Sequence, residues 1–433
     1  MGIETDRSDV VVVGGGLAGL SAAAYLSREG FSVRLVERAA ALGGRAATLR
    51  EQGFALNRGA HALYRTGAGL PILKELGVSA PGGVVSGRGK ALRGGALYQL
   101  PADTFTLLTT GLLGLGAKAA AASWLARLPH MKPSEVATES VSGWLARCSL
   151  TGEARALAEA VVRVSCYANA PDEFSAGTAL AQIQRALHGV IYVDGGWQTL
   201  VDGLRASATA AGAVVTSGLR AESLARDETG HYAVTLADGR TLGARAVVLA
   251  VAPQDAAALI ARSGAPVPDG FETSKVRAAT LDVALSRLPE KHEPFILGID
   301  RPVYLSLHSR VAKLAPEGGA LVQAMKYLDA THQDPEADRA ELEALMDLGM
   351  PGWRAHAVHV QYLPRMIAVE RLDLAAEGGA AGRPGPEVPG LPGVTLAGDW
   401  VQGNAWLADA ALESGRTAAR ILAERLSPRR AVA

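Results

Sequence analysis

The sequence predicts an α/β protein in which a Rossmann-type dinucleotide-binding domain is interleaved with a second domain of the α+β class. Three observations lead to this fold class. A β-branched run at 10–13 is followed at once by a glycine-rich turn, the next predicted strand ends in Glu37, and a further apolar strand ends in Gly398-Asp399 near the other end of the chain. Since 433 residues exceed the usual size of one compact core, two domains are expected.

The composition excludes several classes of partner. The chain carries 43 basic and 43 acidic residues and has no long basic run of the kind that binds nucleic acid. Its two cysteines, Cys148 and Cys166, are too few for a disulfide framework, which is typical of a reducing compartment. No signal-peptide pattern opens the chain, and no run approaches the roughly 18 apolar residues of a membrane span. We therefore expect a cytoplasmic protein that acts on a small or apolar partner.

The first predicted unit consists of a strand at 10–13, a helix at 17–27 and a second strand at 32–36. The glycines between the first strand and the helix have separate tasks. Gly14 permits a tight turn, Gly16 lets the backbone approach a pyrophosphate, and Gly19 brings the helix against the strand. Because a helix N-terminus binds phosphate through its free N–H groups, Leu17 and Ala18 are predicted to contact the cofactor as well.

The acidic residue that ends the second strand indicates how the nucleotide is recognised. Glu37, with Arg38 beside it, follows the glycines by about 20 residues, where a carboxylate accepts hydrogen bonds from an adenosine ribose. An acid at this position argues against a 2′-phosphate. This unit alone fits NAD and FAD equally well.

Two further motifs resemble those of one superfamily of flavoproteins. Leu42-Gly43-Gly44-Arg45-Ala46 comes directly after Glu37, and the strand at 394–400, which contains Gly398-Asp399, is followed by a small-residue segment at 407–415. Together they resemble the superfamily of phytoene desaturases, protoporphyrinogen oxidases and monoamine oxidases. The middle of the chain looks most like phytoene-desaturase relatives. The resemblance implies a Rossmann-type FAD-binding domain of the GR2-like kind, with FAD as the cofactor.

The resemblance also implies how the two motifs bind FAD. Gly43, Gly44 and Arg45 lie against the pyrophosphate, and Arg45 neutralises phosphate charge. Gly398 precedes Asp399, which hydrogen-bonds the ribityl or phosphate part of the cofactor. No cysteine stands near the C-terminal motif, so a thioether link to the flavin is not expected and FAD is predicted to be non-covalent.

Three other positions are assigned by the same resemblance. The backbone N–H groups of Leu407 and Ala408 point at the flavin pyrimidine, because a helix N-terminus stabilises negative charge there. Ala221 lies under the adenine. The implied domains are discontinuous, with FAD bound by 1–85, 190–265 and 385–433 and the substrate bound by 86–189 and 266–384.

The loop at 57–61 resembles the superfamily's loop that runs along the flavin ring, which implies cofactor contacts for Gly59, Ala60 and His61. His61 is the candidate catalytic residue, either as a proton shuttle or as an imidazole merely hydrogen-bonded into its loop. The stretch 279–283 lacks the lysine that amine oxidases often keep there, which disfavours amine oxidation. His356 and His359 would share one face of a helix, but no third ligand accompanies them, so no metal site is predicted.

The implied function is dehydrogenation of a lipophilic or ring-bearing substrate, with hydride passing to flavin N5 and electrons leaving to oxygen, a quinone or another acceptor. The alternatives are an amine or amino-acid oxidase on the same scaffold, in which Arg365 is a candidate carboxylate clamp, a redox-neutral flavin-dependent isomerase, and a flavin-binding protein without catalysis. The apolar segment 107–125 is interpreted either as a core helix or as an interfacial helix that makes a peripheral membrane contact.

Overall fold

A computed structural model describes residues 6–85, 87–272, 274–332 and 334–427. Its strands are β1 (Asp6–Val13), β2 (Val33–Glu37), β3 (Thr48–Glu51), β4 (Phe54–Asn57), β5 (Leu63–Tyr64), β6 (Gly82–Val84), β7 (Lys90–Arg93), β8 (Ala96–Gln99), β9 (Val190–Val193), β10 (Val214–Ser217), β11 (Ala221–Arg226), β12 (Tyr232–Leu236), β13 (Thr241–Leu249), β14 (Val276–Leu285), β15 (Phe295–Gly298), β16 (Val303–Leu307), β17 (Ala320–Leu328), β18 (Ala357–Val369) and β19 (Val394–Leu396). Its α-helices are α1 (Leu17–Arg28), α2 (Gly69–Glu75), α3 (Thr104–Thr109), α4 (Leu115–Arg127), α5 (Val141–Arg147), α6 (Gly152–Cys166), α7 (Ala176–Ala186), α8 (Gln198–Ala210), α9 (Pro253–Arg262), α10 (Pro335–Gly349) and α11 (Leu407–Leu426).

The first large sheet has the order β10-β2-β1-β13-β12-β11, and β19 pairs with β13. Its central strands are parallel, and β11 and β12 are antiparallel. Val10 and Val12 pack among the helices α1, α8 and α11, whereas Val11 and Val13 pack on the opposite face with residues of α9. Burial on both faces is what a continuous β-branched run predicts for a parallel strand, so the predicted α/β fold class is confirmed.

The glycine-rich turn between β1 and α1 has no room for side chains at two of its positions. Gly14 has φ +110°, and a Cβ built on it would lie 2.2 Å from the carbonyl oxygen of Ala250. A Cβ on Gly19 would lie 1.9 Å from the carbonyl oxygen of Gly14. The turn therefore requires glycine at Gly14 for its backbone angle and at Gly19 for the close approach of helix to strand.

The second large sheet has the order β18-β14-β17-β16-β15-β7-β8. Neighbouring strands are antiparallel except for β15 and β7. Leu342 and Met346 of α10 pack against one face. On the other face, Tyr304, Met325 and Tyr327 join a core formed mainly by the helices between 115 and 186. Every strand of this sheet falls within the predicted substrate ranges, and every strand of the first sheet falls within the predicted FAD-binding ranges.

Two predicted helical segments differ in the structure. The apolar segment 107–125 is broken between α3 and α4, and no helix of the described residues combines the length and apolarity needed to cross a membrane. His356 and His359 do not share a helix, because His356 follows a 3₁₀ turn and His359 lies in β18. Within the described ranges, no group of three or more His, Cys, Asp or Glu side chains could hold a metal ion.

The chain returns to the first sheet through a loop held by a fully buried ion pair. Arg383 donates to both carboxylate oxygens of Asp373 at 2.7 Å, and its remaining NH₂ group donates to the Ala405 carbonyl at 3.0 Å. Asp373 also accepts a hydrogen bond from the Thr178 hydroxyl. Both charged side chains are inaccessible to solvent, so each depends on the other for compensation of its charge.

We expect Asp373→Ala to lower the free energy of unfolding by about 3–5 kcal/mol, because it leaves Arg383 buried without a counter-charge. Urea denaturation followed by circular dichroism would measure the change. Glu424→Ala is the matched control, since Glu424 pairs with Arg420 at the surface with both side chains 74% exposed, and it should produce no measurable change. Equal midpoints for the two variants would contradict the structural role assigned to Asp373.

Candidate functional site

The turn after β1 presents free backbone groups to a large cavity. Gly16, Leu17 and Ala18 line this cavity where α1 begins. A Cβ built on Gly16 would find no protein atom closer than the Gly43 carbonyl oxygen at 4.0 Å, and one on Gly44 none closer than Gly16 Cα at 4.0 Å. The two glycine motifs therefore leave an open cradle between them, at a helix N-terminus that attracts negative charge.

Glu37 is held in place by two backbone donors. One carboxylate oxygen accepts from the Gly15 N–H at 2.7 Å and the other from the Ala39 N–H at 2.8 Å. Glu37 also lines the cavity, and its oxygens retain lone pairs for further donors. Its neighbour Arg38 pairs with Asp255 at 2.9 Å on the same wall.

Arg45 and Asp399 form a bidentate ion pair across the cavity. The Arg45 NH groups donate to the two Asp399 oxygens at 2.8 Å and 2.6 Å, although the residues are 354 positions apart. Asp399 is buried, whereas Arg45 is 40% exposed and lines the cavity. Burial opposes the charge on Arg45, but the Asp399 carboxylate outweighs that effect and raises the pKa of the guanidinium. The sequence pointed to both residues as cofactor contacts without predicting that they pair.

The start of α11 is strained at the cavity wall. Leu407, its first residue, has φ +58°, and Leu407 and Ala408 both line the cavity. A leucine in the left-handed region costs of order 1–3 kcal/mol and persists only where the surrounding structure enforces it. Just before, the Gly398 N–H donates to the Ser414 hydroxyl at 2.8 Å, which ties the strand end to α11.

Both ring nitrogens of His61 lie against backbone carbonyl oxygens. Nδ1 lies 2.7 Å from the Gly59 carbonyl oxygen and Nε2 lies 3.0 Å from the Arg45 carbonyl oxygen. Burial lowers the pKa of His61, with a further contribution from the positive charge of Arg45. A neutral imidazole has one N–H, so it donates to one of these carbonyls. This arrangement favours the loop-holding interpretation over the proton shuttle.

The cavity has a volume of about 760 Å³, which lies within the usual range for cofactor and ligand sites. Of the residues predicted to bind FAD, all except Gly19 and Gly59 line it; Ala60, His61 and Ala221 are among those that do. Gly19 lies behind the turn, against Gly14, and Gly59 contributes its carbonyl to His61. The donor set suits a dinucleotide, because the glycine cradle, the helix N-terminus and the Arg45 guanidinium all favour a pyrophosphate.

Several lining residues were missed from the sequence. Three of them, Arg58, Trp197 and Arg220, stand in or beside segments that the sequence had linked to the flavin without assigning these side chains a role, and Tyr167, Arg262 and Met366 reach the cavity through long-range packing. Tyr167 is the most unusual of them, since it caps α6 with φ +62° and is 8% exposed.

We expect Asp399→Ala to raise the FAD dissociation constant by roughly 10-fold or more, because it removes a buried acceptor and frees the charged Arg45 from its partner. Equilibrium dialysis of purified protein against FAD would measure the loss. Leu407→Ala is the control, since the contact predicted for Leu407 is made by its backbone, and its FAD affinity should stay close to wild type. Undiminished flavin content in Asp399→Ala would contradict the assignment.

The chain is similar to proteins of known name over parts of their length. It is 53% identical to a carotenoid 3,4-desaturase from Haloarcula japonica over 51 residues, which make up 12% of this chain and 10% of that protein. It is 30% identical over 208 residues to a protein named as a flavin-containing monoamine oxidase from Mycobacterium tuberculosis, with 45% of this chain and 42% of the relative covered. The alignments therefore span less than half the length of either relative.

The comparison with solved structures covers nearly the whole chain. An oxidoreductase from Methanosarcina mazei superposes with a TM-score of 0.72 at 19% identity, covering 94% of this chain and 99% of that one, which establishes a shared fold. The sequence model described as flavin containing amine oxidoreductase matches residues 17–281, more than half of the chain. The family predicted by resemblance and the FAD cofactor are thereby confirmed. The chain belongs to the flavin-containing amine oxidoreductase family and is an FAD-dependent oxidoreductase.

Proposed function

We propose that the protein dehydrogenates a lipophilic or ring-bearing organic substrate. Bound FAD supplies the redox chemistry, by accepting a hydride from a substrate C–H bond and passing the electrons to oxygen, a quinone or another acceptor. The chain itself has to bind the substrate, orient one C–H bond and exclude water.

The observation that carries this proposal is the apolar character of the wall contributed by the substrate ranges. They bring Tyr167, the run 363–368 and Glu370 to the cavity. Two of these residues are charged: Arg365 is exposed, and Glu370 pairs with Lys275 at 2.9 Å. A wall with few polar groups favours an apolar substrate, since a polar one would lose hydrogen bonds to water without replacement.

Tyr167 is the side chain best placed to orient the substrate. It is buried, it reaches the cavity from the end of α6, and its ring meets that of Tyr327 edge-on with 6.3 Å between centroids. Its left-handed backbone is a strained conformation of the kind that clusters at ligand sites. The N-terminus of α11 supports the reaction from another wall, because its free N–H groups stabilise negative charge that develops in the cavity.

An amine or amino-acid oxidase is the second candidate, and Arg365 is the observation that favours it. Arg365 lines the cavity without a carboxylate partner among the described residues, and one of its NH₂ groups donates to the His332 carbonyl at 3.2 Å. Such a guanidinium is free to bind a substrate carboxylate. The similarity to a monoamine oxidase is consistent with this candidate.

Anaerobic reduction of the flavin distinguishes the two candidates. We expect polyenes or porphyrinogens to bleach the visible band of bound flavin, and simple amines and amino acids to leave it unchanged. The flavin bound to Arg365→Leu should then be reduced by the apolar substrate at a rate within about twofold of wild type, because an apolar molecule offers Arg365 no anion to bind. Anaerobic reduction by amino acids, followed by peroxide release once oxygen is admitted and weakened roughly 10-fold or more by Arg365→Leu, would contradict the proposal. Turnover without any acceptor would indicate the isomerase.

We further propose a peripheral contact with a lipid membrane through α3 and the start of α4. Phe105, Leu108 and Leu115 are 73%, 66% and 87% exposed within 11 consecutive positions. An apolar patch of this kind is costly in water and gains free energy in a bilayer interface. The Lys118 ammonium donates to the Leu108 carbonyl beside the patch, which places a positive charge near anionic headgroups.

We expect wild-type protein to co-sediment with vesicles of phosphatidylcholine and phosphatidylglycerol, and the triple variant Phe105→Ser, Leu108→Ser, Leu115→Ser to bind roughly 10-fold more weakly or worse. The double variant Val358→Ser, Val360→Ser is the control, because these side chains are exposed on β18, and it should bind like wild type. The assignment of this patch would be contradicted if the triple variant still co-sedimented like wild type. It would also be contradicted if the control double variant lost vesicle binding to the same extent.

A further inference from the structure

A row of polar side chains crosses the second sheet, most of whose buried positions are apolar. Gln361 of β18 pairs in register with Asp282 of β14, Asp282 with Gln323 of β17, and Gln323 with Ser306 of β16. Asp282 and Gln323 are inaccessible to solvent and Ser306 is buried. Burial of this many polar groups is unfavourable unless each finds a hydrogen-bond partner.

The two glutamines of the row hold the loop at 57–61, which carries Ala60 and His61 into the cavity wall. Gln361 Nε2 donates to the Asn57 carbonyl at 2.9 Å and to Asp282 Oδ2 at 3.0 Å. Gln323 Nε2 donates to the Gly59 carbonyl at 3.4 Å. The Gly59 carbonyl oxygen is also the oxygen that His61 Nδ1 approaches. Both amides therefore reach from the sheet to the loop, and both glutamines stand opposite Asp282 in the strand register.

Two oxygens in this row have no donor. Asp282 Oδ1 and Gln323 Oε1 are both buried without a hydrogen-bond partner, although Gln323 stands directly opposite Asp282 in the register of β14 and β17. If Asp282 is ionised, these two oxygens are both acceptors and neither is satisfied. A proton on Oδ1 provides the missing donor and satisfies both atoms with one bond.

Reversal of the Gln323 amide does not remove the conflict. Rotation by half a turn would let Nε2 donate to an ionised Asp282, but it would place Oε1 against the Gly59 carbonyl oxygen, where two acceptors repel. The amide orientation that holds Gly59 thus requires a protonated Asp282.

The groups around Asp282 supply no positive charge to stabilise a carboxylate. From β16, Tyr304 faces it, and Ser306 contacts the Tyr192 hydroxyl of β9 at 3.2 Å. His308 stacks on Tyr192 with 3.7 Å between ring centroids, and burial lowers its pKa to about 3, so that it is neutral. His61, in the loop above, also has a lowered pKa. Burial without a counter-charge raises the pKa of Asp282 to about 7, although the Gln361 and Gln323 amides act in the opposite direction.

We propose that Asp282 is a protonated positioning residue, which donates from Oδ1 to Gln323 and accepts at Oδ2 from Gln361, and thereby fixes the 57–61 loop against the FAD-binding cavity. Loss of the proton frees Gln323 to turn toward the carboxylate and to release Gly59. The inference requires that FAD occupies this cavity, but it does not depend on which substrate the protein uses. It can therefore be tested separately from the proposed dehydrogenation.

The pH dependence of FAD binding tests the proposal. A carboxyl whose folded pKa is about 7 keeps its proton below that pH, so we expect FAD affinity to fall by roughly fivefold as the pH rises through about 7, the effect of one lost hydrogen bond. Asp282→Asn carries a permanent NH₂ donor in place of the protonated oxygen. This variant should bind FAD as tightly as wild type does at low pH, and its FAD affinity should stay constant as the pH rises. Asp282→Leu should bind roughly fivefold more weakly at every pH.

Infrared spectroscopy of the FAD-loaded protein gives a readout that does not depend on binding or activity. We expect the C=O stretch of a protonated carboxylic acid in wild type, lost through the same pH range and missing from Asp282→Asn. Asp409 of α11 is a second buried acid, with a pKa raised by burial to about 6, and its band should persist in Asp282→Asn. If Asp282→Leu does not fold, Gln323→Met removes the same bond to Gly59 and should give the same weakened FAD binding.

Three results would overturn the proposal. The first is weak FAD binding by Asp282→Asn, equal to that of Asp282→Leu, which would mean that the neutral donor does not suffice. The second is a pH dependence that persists unchanged in Asp282→Asn and therefore belongs to another group. The third is a lowered melting temperature in Asp282→Asn and Asp282→Leu while their FAD affinity and its pH dependence remain as in wild type. This result would indicate a purely structural role for Asp282.

Discussion

The architecture depends on a single buried carboxylate, Asp399, where three distant stretches of the chain meet. It accepts two bonds from Arg45, which follows the second glycine motif, and one from the Glu370 N–H, which follows β18. Removing a carboxylate from water costs several kcal/mol unless charge and hydrogen bonds replace the solvent. Asp399 obtains both from segments of the two predicted domains, so the cavity between the sheets forms only when those segments are in place.

Buried ionisable groups around the cavity are accommodated in two different ways, by compensating their charge or by keeping them neutral. The end near Arg45 uses full charges, with a guanidinium, a helix N-terminus and backbone N–H groups suited to phosphate. In and behind the 57–61 loop lie titratable groups whose charged forms are disfavoured by burial: His61 and His308 have lowered pKa values and Asp282 a raised one. Because these groups are uncharged, they add no fixed charge behind the loop, and the charges near it are those of arginines that line the cavity, Arg45 and Arg58.

The sequence predicts those parts of the site whose chemistry is contained in a short stretch. The order of strand, glycines, helix and acid from 10 to 37 identified the first βαβ unit, and the strand ending in Gly398-Asp399 identified the opposite wall, because each pattern is local. The bond between Arg45 and Asp399 was not predictable in this way, since it depends on how segments 354 positions apart pack. Asp282 was equally hidden: in sequence it is one acid in an apolar strand, and only the register of three neighbouring strands shows that it meets two glutamines. For His61 the sequence left two roles open, and only the structure shows that both of its ring nitrogens lie against carbonyl oxygens.

Asn57 shows how the cofactor wall and the substrate wall are kept in register with each other. Its side-chain oxygen accepts from the Thr48 hydroxyl at 2.8 Å and from the Trp197 N–H at 3.0 Å, both within the predicted FAD-binding ranges. Its backbone carbonyl accepts from Gln361 of the second sheet at 2.9 Å. One residue at the start of the 57–61 loop thus bonds to β3 and to the start of α8 on one side and to β18 of the second sheet on the other, so a displacement of either side moves the loop. The proposed dehydrogenation requires a donor and an acceptor held at close and fixed separation, and a loop bonded to segments of both predicted domains would couple the position of the cofactor to that of the substrate.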